Sequence, residues 1–272
     1  MKNLIKSTII IMLAVLAGCT TSGKVSSLLF SPADDRQLGE QVSKEVASKP
    51  EEFPVLPPAK YQEAYRYLNS MRDQILASND VDYRKEFAWD LKIIQDDKTL
   101  NAFATPGGYI YVYTGLIKYL DNADDLAGVM GHEIAHADRR HSIKQLEKQY
   151  GISLLMSIAL GQDPSQLAQI VAQLAGTGAV LKFSRSDESE ADEYSVKYLA
   201  DTKYACNGAA TFFQKLLEEG KAGGVPEFLS THPSPKSRVA DINTVASQAS
   251  CSTKLVKETG MTYAQFKASL PK

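Results

Sequence analysis

The sequence predicts an α+β fold that is mainly helical and carries a small, mostly antiparallel sheet. Tyr61, Tyr65, Leu68, Met71 and Ile75 fall on one stripe at helical spacing. Between residues 86 and 113 the pattern shortens into strand-like runs, with Pro106-Gly107-Gly108 placed as a tight turn. From Ala123 to Tyr150 the helical pattern returns and runs without a break. The 272 residues suffice for a sizeable core, and 44% apolar with 23% charged residues is ordinary for a globular chain.

Taken in order, the chain opens with Lys2 and Lys6, then an apolar run from Ile9 to Leu16. That run is too short to span a bilayer and reads as an export signal. Leu16-Ala17-Gly18-Cys19 resembles the lipobox of bacterial lipoproteins. The resemblance implies cleavage before Cys19 and a lipid on its thiol; an ordinary signal peptide or an uncleaved anchor are the alternatives. Thr20, rather than Asp, follows Cys19, which by the sorting rule for such lipoproteins implies the outer membrane. The expected organisation is therefore a signal peptide over residues 1–18, a lipid-attached tether over 19–33 and a single domain over 34–272.

Ser31-Pro32-Ala33-Asp34 is suited to start a helix that Lys49-Pro50 stops. A second helix is expected from Pro58 to Asn79. Strands are expected at Glu86–Ile94, Leu100–Ala104 and Tyr109–Tyr113, the last with its tyrosines on one face and Ile110 and Val112 on the other. Asn122 is placed to cap the long helix. Ile152–Leu160 and Ser165–Ala175 read as a helical hairpin that either packs on the core or makes residues 151–181 a lid or membrane-facing flap over the cleft. Further helices are expected over 187–200, 208–219 and 235–247.

A net charge of −2, from 30 basic and 32 acidic residues, leaves no excess to neutralise phosphates, so nucleic acid is a poor partner. With Cys19 set aside, Cys206 and Cys251 remain. In an exported chain an oxidising compartment favours their pairing over two buried thiols. Closing that loop is worth about 4 kcal/mol in the chain-entropy picture. Neither cysteine has a second cysteine or a histidine at zinc-ligand spacing.

His132-Glu133-Ile134-Ala135-His136 carries the chemistry. Four residues turn a helix through roughly 400°, so the two imidazoles lie nearly above one another and can share one cation. Glu133 is offset enough to avoid the metal while staying near a water bound to it. Zinc suits neutral imidazole, acidifies its water, and leaves Glu133 to accept the proton as general base. A histidine six residues after His136 would extend the motif, but that position is Ser142, and Arg139 stands where that pattern has glycine. His141 lies about 140° around a continuing helix from His136 and reads as structural or solvated. A carboxylate from another helix is the better third ligand. Glu188 and Asp192 are four apart and share a face, while Glu190 points about 200° away. Spacing alone leaves this acidic run divided between a solvated helix face and a ligand set, with Asp192 placed to accept from a ligand histidine if Glu188 is the ligand.

His132-Glu133-x-x-His136, followed by Glu188-x-x-x-Asp192, resembles the gluzincin arrangement. With Asn101-Ala102-Phe103-Ala104, Pro106-Gly107-Gly108, Ser184-Arg185 and Thr231-His232-Pro233-Ser234 with Arg238, the chain more narrowly resembles the HtpX-like and CAAX prenyl protease family of zinc metallopeptidases. Within it the soluble, periplasmic, BepA-like lipoprotein branch is the most similar. The resemblance implies a zincin-like fold with an active-site helix and a glutamate helix, one zinc ion held by His132, His136 and Glu188, and Glu133 as base. It also implies that Asn101, Ala102, Phe103 and Ala104 form an edge strand that pairs with substrate backbone, an interior strand being the alternative. His232 is implied to stand at the metal, either as donor to the transition-state oxyanion or as a fourth ligand that holds the enzyme latent. Arg238 stays unassigned between pairing with an acidic group and capping a helix. Misfolded envelope proteins are the implied substrates of such a zinc endopeptidase. A chaperone-like module that keeps the fold without cutting is the alternative, and the intact Glu133 argues against it.

Overall fold

The computed structural model describes residues 30–175, 182–220, 228, 232 and 237–272. Residues 1–29, and with them the signal peptide, Cys19 and most of the tether, lie outside the described residues, as do 176–181 of the hairpin segment. Phe30 is fully buried, so residues 30–33 belong to the folded domain rather than to the tether. Helix α1 (Pro32–Ser48) starts on a capping box, in which Ser31 Oγ accepts from Asp34 N and the Asp34 carboxylate accepts from Ser31 N. It buries Leu38, Val42 and Val46. Helix α2 (Gln62–Leu76) buries the stripe read from the sequence, Tyr65, Leu68, Met71 and Ile75.

Strands β1 (Asp90–Ile94), β2 (Ala102–Thr105) and β3 (Tyr109–Tyr113) form one sheet in the order β1-β3-β2. The β2–β3 pairing is antiparallel across the Pro106-Gly107-Gly108 turn, where both glycines have positive φ. The β1–β3 pairing is parallel, so the sheet is mixed. Residues 95–101 make the crossover that permits this, folded on Asp96, whose carboxylate accepts from Lys98 N and Thr99 Oγ1. Strand β1 begins four residues later than expected because Trp89 has positive φ and Ala88 N donates to Gly107 O. Leu91, Ile93, Ala102, Ala104, Ile110 and Val112 face the main core, shared with α2. Phe103, Tyr111, Tyr113 and Ile94 face a second core built with α1.

Helix α3 (Thr114–Tyr119) leads into α4 (Ala123–Asp138), capped by Asn122 as expected. The long helix does not continue to Tyr150. It stops at Asp138, Arg140 takes the left-handed conformation with φ 60° and ψ 32°, and α5 (His141–Tyr150) starts in a new direction. That backbone is unfavourable for a residue with a Cβ. It is held by Arg140 itself, whose Nε and Nη2 donate to the two oxygens of Asp35 at 2.7 and 2.9 Å and whose Nη2 also donates to Phe30 O. Helices α6 (Ile152–Ala159) and α7 (Pro164–Ala175) pack on α1 and supply Leu155, Ile158, Ile170 and Val171 to the second core. The hairpin thus packs on the core, with the end of α7 at β2, where Asn101 Nδ2 donates to Ala175 O.

Helix α8 (Arg185–Leu199) opens on a second capping box, Ser184 with Asp187. Helices α9 (Gly208–Gly220), α10 (Arg238–Ala249) and α11 (Tyr263–Ala268) complete the described elements. Cys206 and Cys251 form a disulfide, as expected. Among the described residues no helix is long and apolar enough to cross a membrane. Helix α4 lies centrally, packed on α8, α9 and β2. Its approach to α9 needs glycine, since a Cβ on Gly128 would fall 2.0 Å from Ala209 N. Gly128→Ala is expected to lower stability by about 1–3 kcal/mol through overpacking, despite the better helix propensity of alanine. Chemical denaturation of both proteins measures this, and an unchanged midpoint would contradict it.

Candidate metal centre

Helices α4 and α8 carry the site, and small residues let them meet. A Cβ on Gly131 would lie 2.8 Å from Ser195 Oγ, and that hydroxyl donates to Gly128 O at 3.0 Å. The approach brings His132, Glu133, His136 and Glu188 together, each at most 1% exposed. His132 Nε2 and His136 Nε2 are 3.0 Å apart. Glu188 places Oε2 3.5 Å from His132 Nε2 and Oε1 3.6 Å from His136 Nε2. His232 joins them, with Nδ1 3.3 Å from His132 Nε2 and 3.2 Å from Glu188 Oε1.

These four side chains form a group able to hold one metal ion. Bonds of roughly 2.0–2.1 Å in a tetrahedron require donor atoms roughly 3.3–3.4 Å apart. The observed separations of 3.0 to 3.6 Å bracket that value. The donors are two or three imidazole nitrogens and a carboxylate, the set that zinc takes. Buried polar atoms left over point the same way. Glu133 Oε1 makes no hydrogen bond, and Glu188 Oε2 has none either, although Arg238 Nη1 sits 2.8 Å away without hydrogen-bond alignment.

The surrounding charges set protonation. Burial pushes Glu188 up, but the charge of His232 and hydrogen bonds with His132 and His232 outweigh it and hold the carboxyl well below the usual range. Asp192 is likewise raised by burial and lowered further by Arg238, whose Nε and Nη2 donate to it at 2.7 and 2.6 Å. Burial drives His136 well below its ordinary value, helped by repulsion from His132 and His232. A neutral imidazole and an ionised carboxylate are the forms that bind metal. Glu133 goes the other way, and burial pushes it up to about 7. Its Oε2 accepts from Ala104 N at 3.1 Å, and its free Oε1 lies 3.4 Å from His232 Nε2.

Asp192 Oδ1 lies 3.0 Å from His132 Nδ1, the contact that spacing offered it. Arg238, left unassigned by the sequence, bridges Asp192 and Glu188 and stacks over the Phe213 ring at 3.8 Å. His141 departs from its reading as structural or solvated. The break at Arg140 turns it back, so that its Nδ1 meets His136 Nδ1 at 3.0 Å. Strand β2 lies at the sheet edge. Asn101 O accepts from Tyr113 N, so by antiparallel alternation Ala102 and Ala104 turn their backbone groups outward. Phe183 stacks on His136 at 4.0 Å and Phe228 on His232 at 4.5 Å, which closes the site with two rings that no sequence pattern singled out.

The buried group of His132, His136, Glu188 and His232, with Glu133 next to His132, is suited to one zinc ion and is the kind of centre that metallopeptidases carry. The chain belongs to peptidase family M48, whose model matches residues 63–246. It is 35% identical over 166 residues to the beta-barrel assembly-enhancing protease of Escherichia coli (strain K12), covering 57% of this chain and 34% of that protein. It is 33% identical over 188 residues to a putative protease of the same name from Vibrio cholerae, covering 64% and 37%. The mitochondrial metalloendopeptidase OMA1 of Schizosaccharomyces pombe is 31% identical over 210 residues, covering 76% and 60%. The chain thus spans about a third of the length of these bacterial relatives.

Arg238→Met would leave Asp192 and Glu188 buried without their cation. Loss of one partner from a buried charge pair costs about 3–5 kcal/mol. Urea unfolding of the metal-free variant is expected to show a loss of that order, and a loss below about 1 kcal/mol, typical of an exposed ion pair, would contradict it.

Proposed function

We propose that this chain is a zinc metalloendopeptidase of the bacterial envelope that cuts extended segments of misfolded proteins. The observation that carries the reading is the convergence of His132, His136 and Glu188 on one buried point with the free Oε1 of Glu133 beside it. In this reading those three residues hold the metal and Glu133 is the base. Zinc, when bound, supplies a Lewis acid and lowers the pKa of a coordinated water. Glu133 accepts a proton on Oε1 while Ala104 N–H fixes Oε2, which keeps the free oxygen aimed inward. A value near 7 suits a group that must take and return a proton at neutral pH. Asp192 fixes the tautomer of His132, and Arg238 fixes Asp192.

Asn101 to Ala104 align the substrate. The outward backbone groups of Ala102, buried in this form, would pair with an extended peptide once uncovered, and pairing through backbone selects for unfolded segments over particular side chains. Of the two roles for His232, the described geometry favours the fourth ligand, because its Nδ1 stands within the donor group. With His232 there and two aromatic rings over the site, this is a closed resting form, and cleavage requires His232 and Phe228 to withdraw.

The apolar run Ile9 to Leu16 and the lipobox-like Leu16-Ala17-Gly18-Cys19 support export, a lipid on Cys19 and an outer-membrane location facing the periplasm. The names of the bacterial relatives tie those proteins to β-barrel assembly, whereas the yeast relative is mitochondrial. The lipobox and the bacterial matches together favour the envelope for this chain.

Glu133→Gln is expected to retain about one zinc per chain by elemental analysis while casein cleavage falls at least about a hundredfold, in keeping with loss of a general base. Unchanged cleavage would refute the assigned base, and a wild type that binds zinc yet never cleaves would favour the chaperone-like module. Radiolabelled palmitate is expected to enter the wild-type chain in cells and to be absent from Cys19→Ser. Equal labelling of both would remove the lipid anchor.

A further inference from the structure

Helix α8 presents carboxylates at alternate positions, Glu188, Glu190 and Asp192. Glu188 faces the donor group and Asp192 backs His132. Glu190 turns away from both toward α5, where its Oε2 lies 3.1 Å from His141 Nε2. His141 in turn places Nδ1 3.0 Å from His136 Nδ1. Resting on the reading of His132, His136 and Glu188 as metal ligands, we infer that His141 and Glu190 are positioning residues for His136, a two-step relay that fixes its tautomer and aims its Nε2 at the metal.

The protons allow one arrangement with neutral rings. His136 Nε2 faces the other donors and must offer a lone pair, so its hydrogen sits on Nδ1. His141 Nδ1 then accepts that hydrogen, and its own hydrogen sits on Nε2 and goes to the Glu190 carboxylate. Glu190 is itself held, since its Oε1 accepts from Arg139 Nε at 3.2 Å, and Arg139 also pairs with Asp82 and lies over the Tyr194 ring. Both ligand histidines are therefore backed by a carboxylate of α8, His132 directly and His136 through an interposed imidazole.

The relay exists because the helix breaks. In a continuous helix His141 would lie about 140° around from His136 and could not meet it. The left-handed turn at Arg140 delivers it, and Asp35 of α1 clamps Arg140 in that turn. Helix α1 precedes the family-matched residues 63–246 and so contributes to the site from outside them.

The test measures zinc affinity of the detergent-solubilised full chain by competition with a chromophoric chelator. His141→Leu removes the acceptor and is expected to weaken zinc binding roughly 10- to 100-fold, the range for partners behind a metal-bound histidine. Glu190→Gln, at a half-exposed position, is expected to weaken it in the same direction by less, and it decides the matter should His141→Leu fail to fold. Proton NMR of the cobalt(II)-substituted protein supplies a readout that a merely structural role would not move. The shifted Nδ1–H resonance of His136 is expected to exchange slowly with solvent in the wild type and faster in both variants. Folded variants with wild-type zinc affinity and unchanged exchange, beside a His136→Ala control that loses zinc, would overturn the relay alone. A wild type that binds no zinc would overturn both the relay and the metal-site reading.

Discussion

The close approach of α4 to α8 is the constraint on which the centre depends. Imidazoles on one helix and a carboxylate on the other can share a point only if their backbones come nearer than ordinary side chains allow. Gly131 opposite Ser195 provides that on one side of α4, and Gly128 against Ala209 provides it on the other. The result is a helix buried along its whole length despite carrying three aspartates, a glutamate and two histidines. Each charge is met locally. Asp124 accepts from Ala205 N and Val256 N, and Asp138 accepts from Tyr198 Oη and Tyr83 N. A polar helix can occupy the middle of a protein only when its partners come with it.

The same rule shapes the charge at the centre. Glu188 is held ionised by His232 and His132, and Asp192 by Arg238 and His132. Burial holds His136 neutral and pushes Glu133 up to about 7. A pocket of this kind gathers ionised carboxylates and a neutral imidazole in a dry setting, the forms that a divalent cation needs as ligands.

Much of the fold was legible because its elements obey local rules. The tyrosine face of β3, the α2 stripe, the Asn122 cap and the glycine turn each depend on residues within a few positions of one another. The three chemical residues of the motif were legible because metal chemistry limits both residue type and spacing, whereas Glu188 rested on the family resemblance, spacing alone having left it divided between a ligand and a solvated face. What stayed hidden was decided by distant contacts. Nothing near Arg140 announces a left-handed residue, since the arginine is held there by Asp35, more than a hundred residues earlier in the chain. Without that break His141 reads as pointing away, and Glu190, which helix geometry already turns from the metal, has no histidine to meet. The parallel partner of β1 was hidden for the same cause, because the crossover folds on Asp96 and not on a turn signature. Arg238 and the two aromatic rings over the site belong to segments that meet α4 only after the chain has folded.

The disulfide adds one more consequence. Cys206 precedes α9 and Cys251 follows α10, at a separation of 45 residues. The bond therefore closes a covalent ring that contains α9, Phe228, His232 and α10. The cross-link limits how far the unfolded chain can spread, so α9 and α10, which flank Phe228 and His232, are tied together before either docks. Reduction would lift that restraint, so the cost of ordering the stretch that brings Arg238 to Asp192 is set partly by a bond at its far ends.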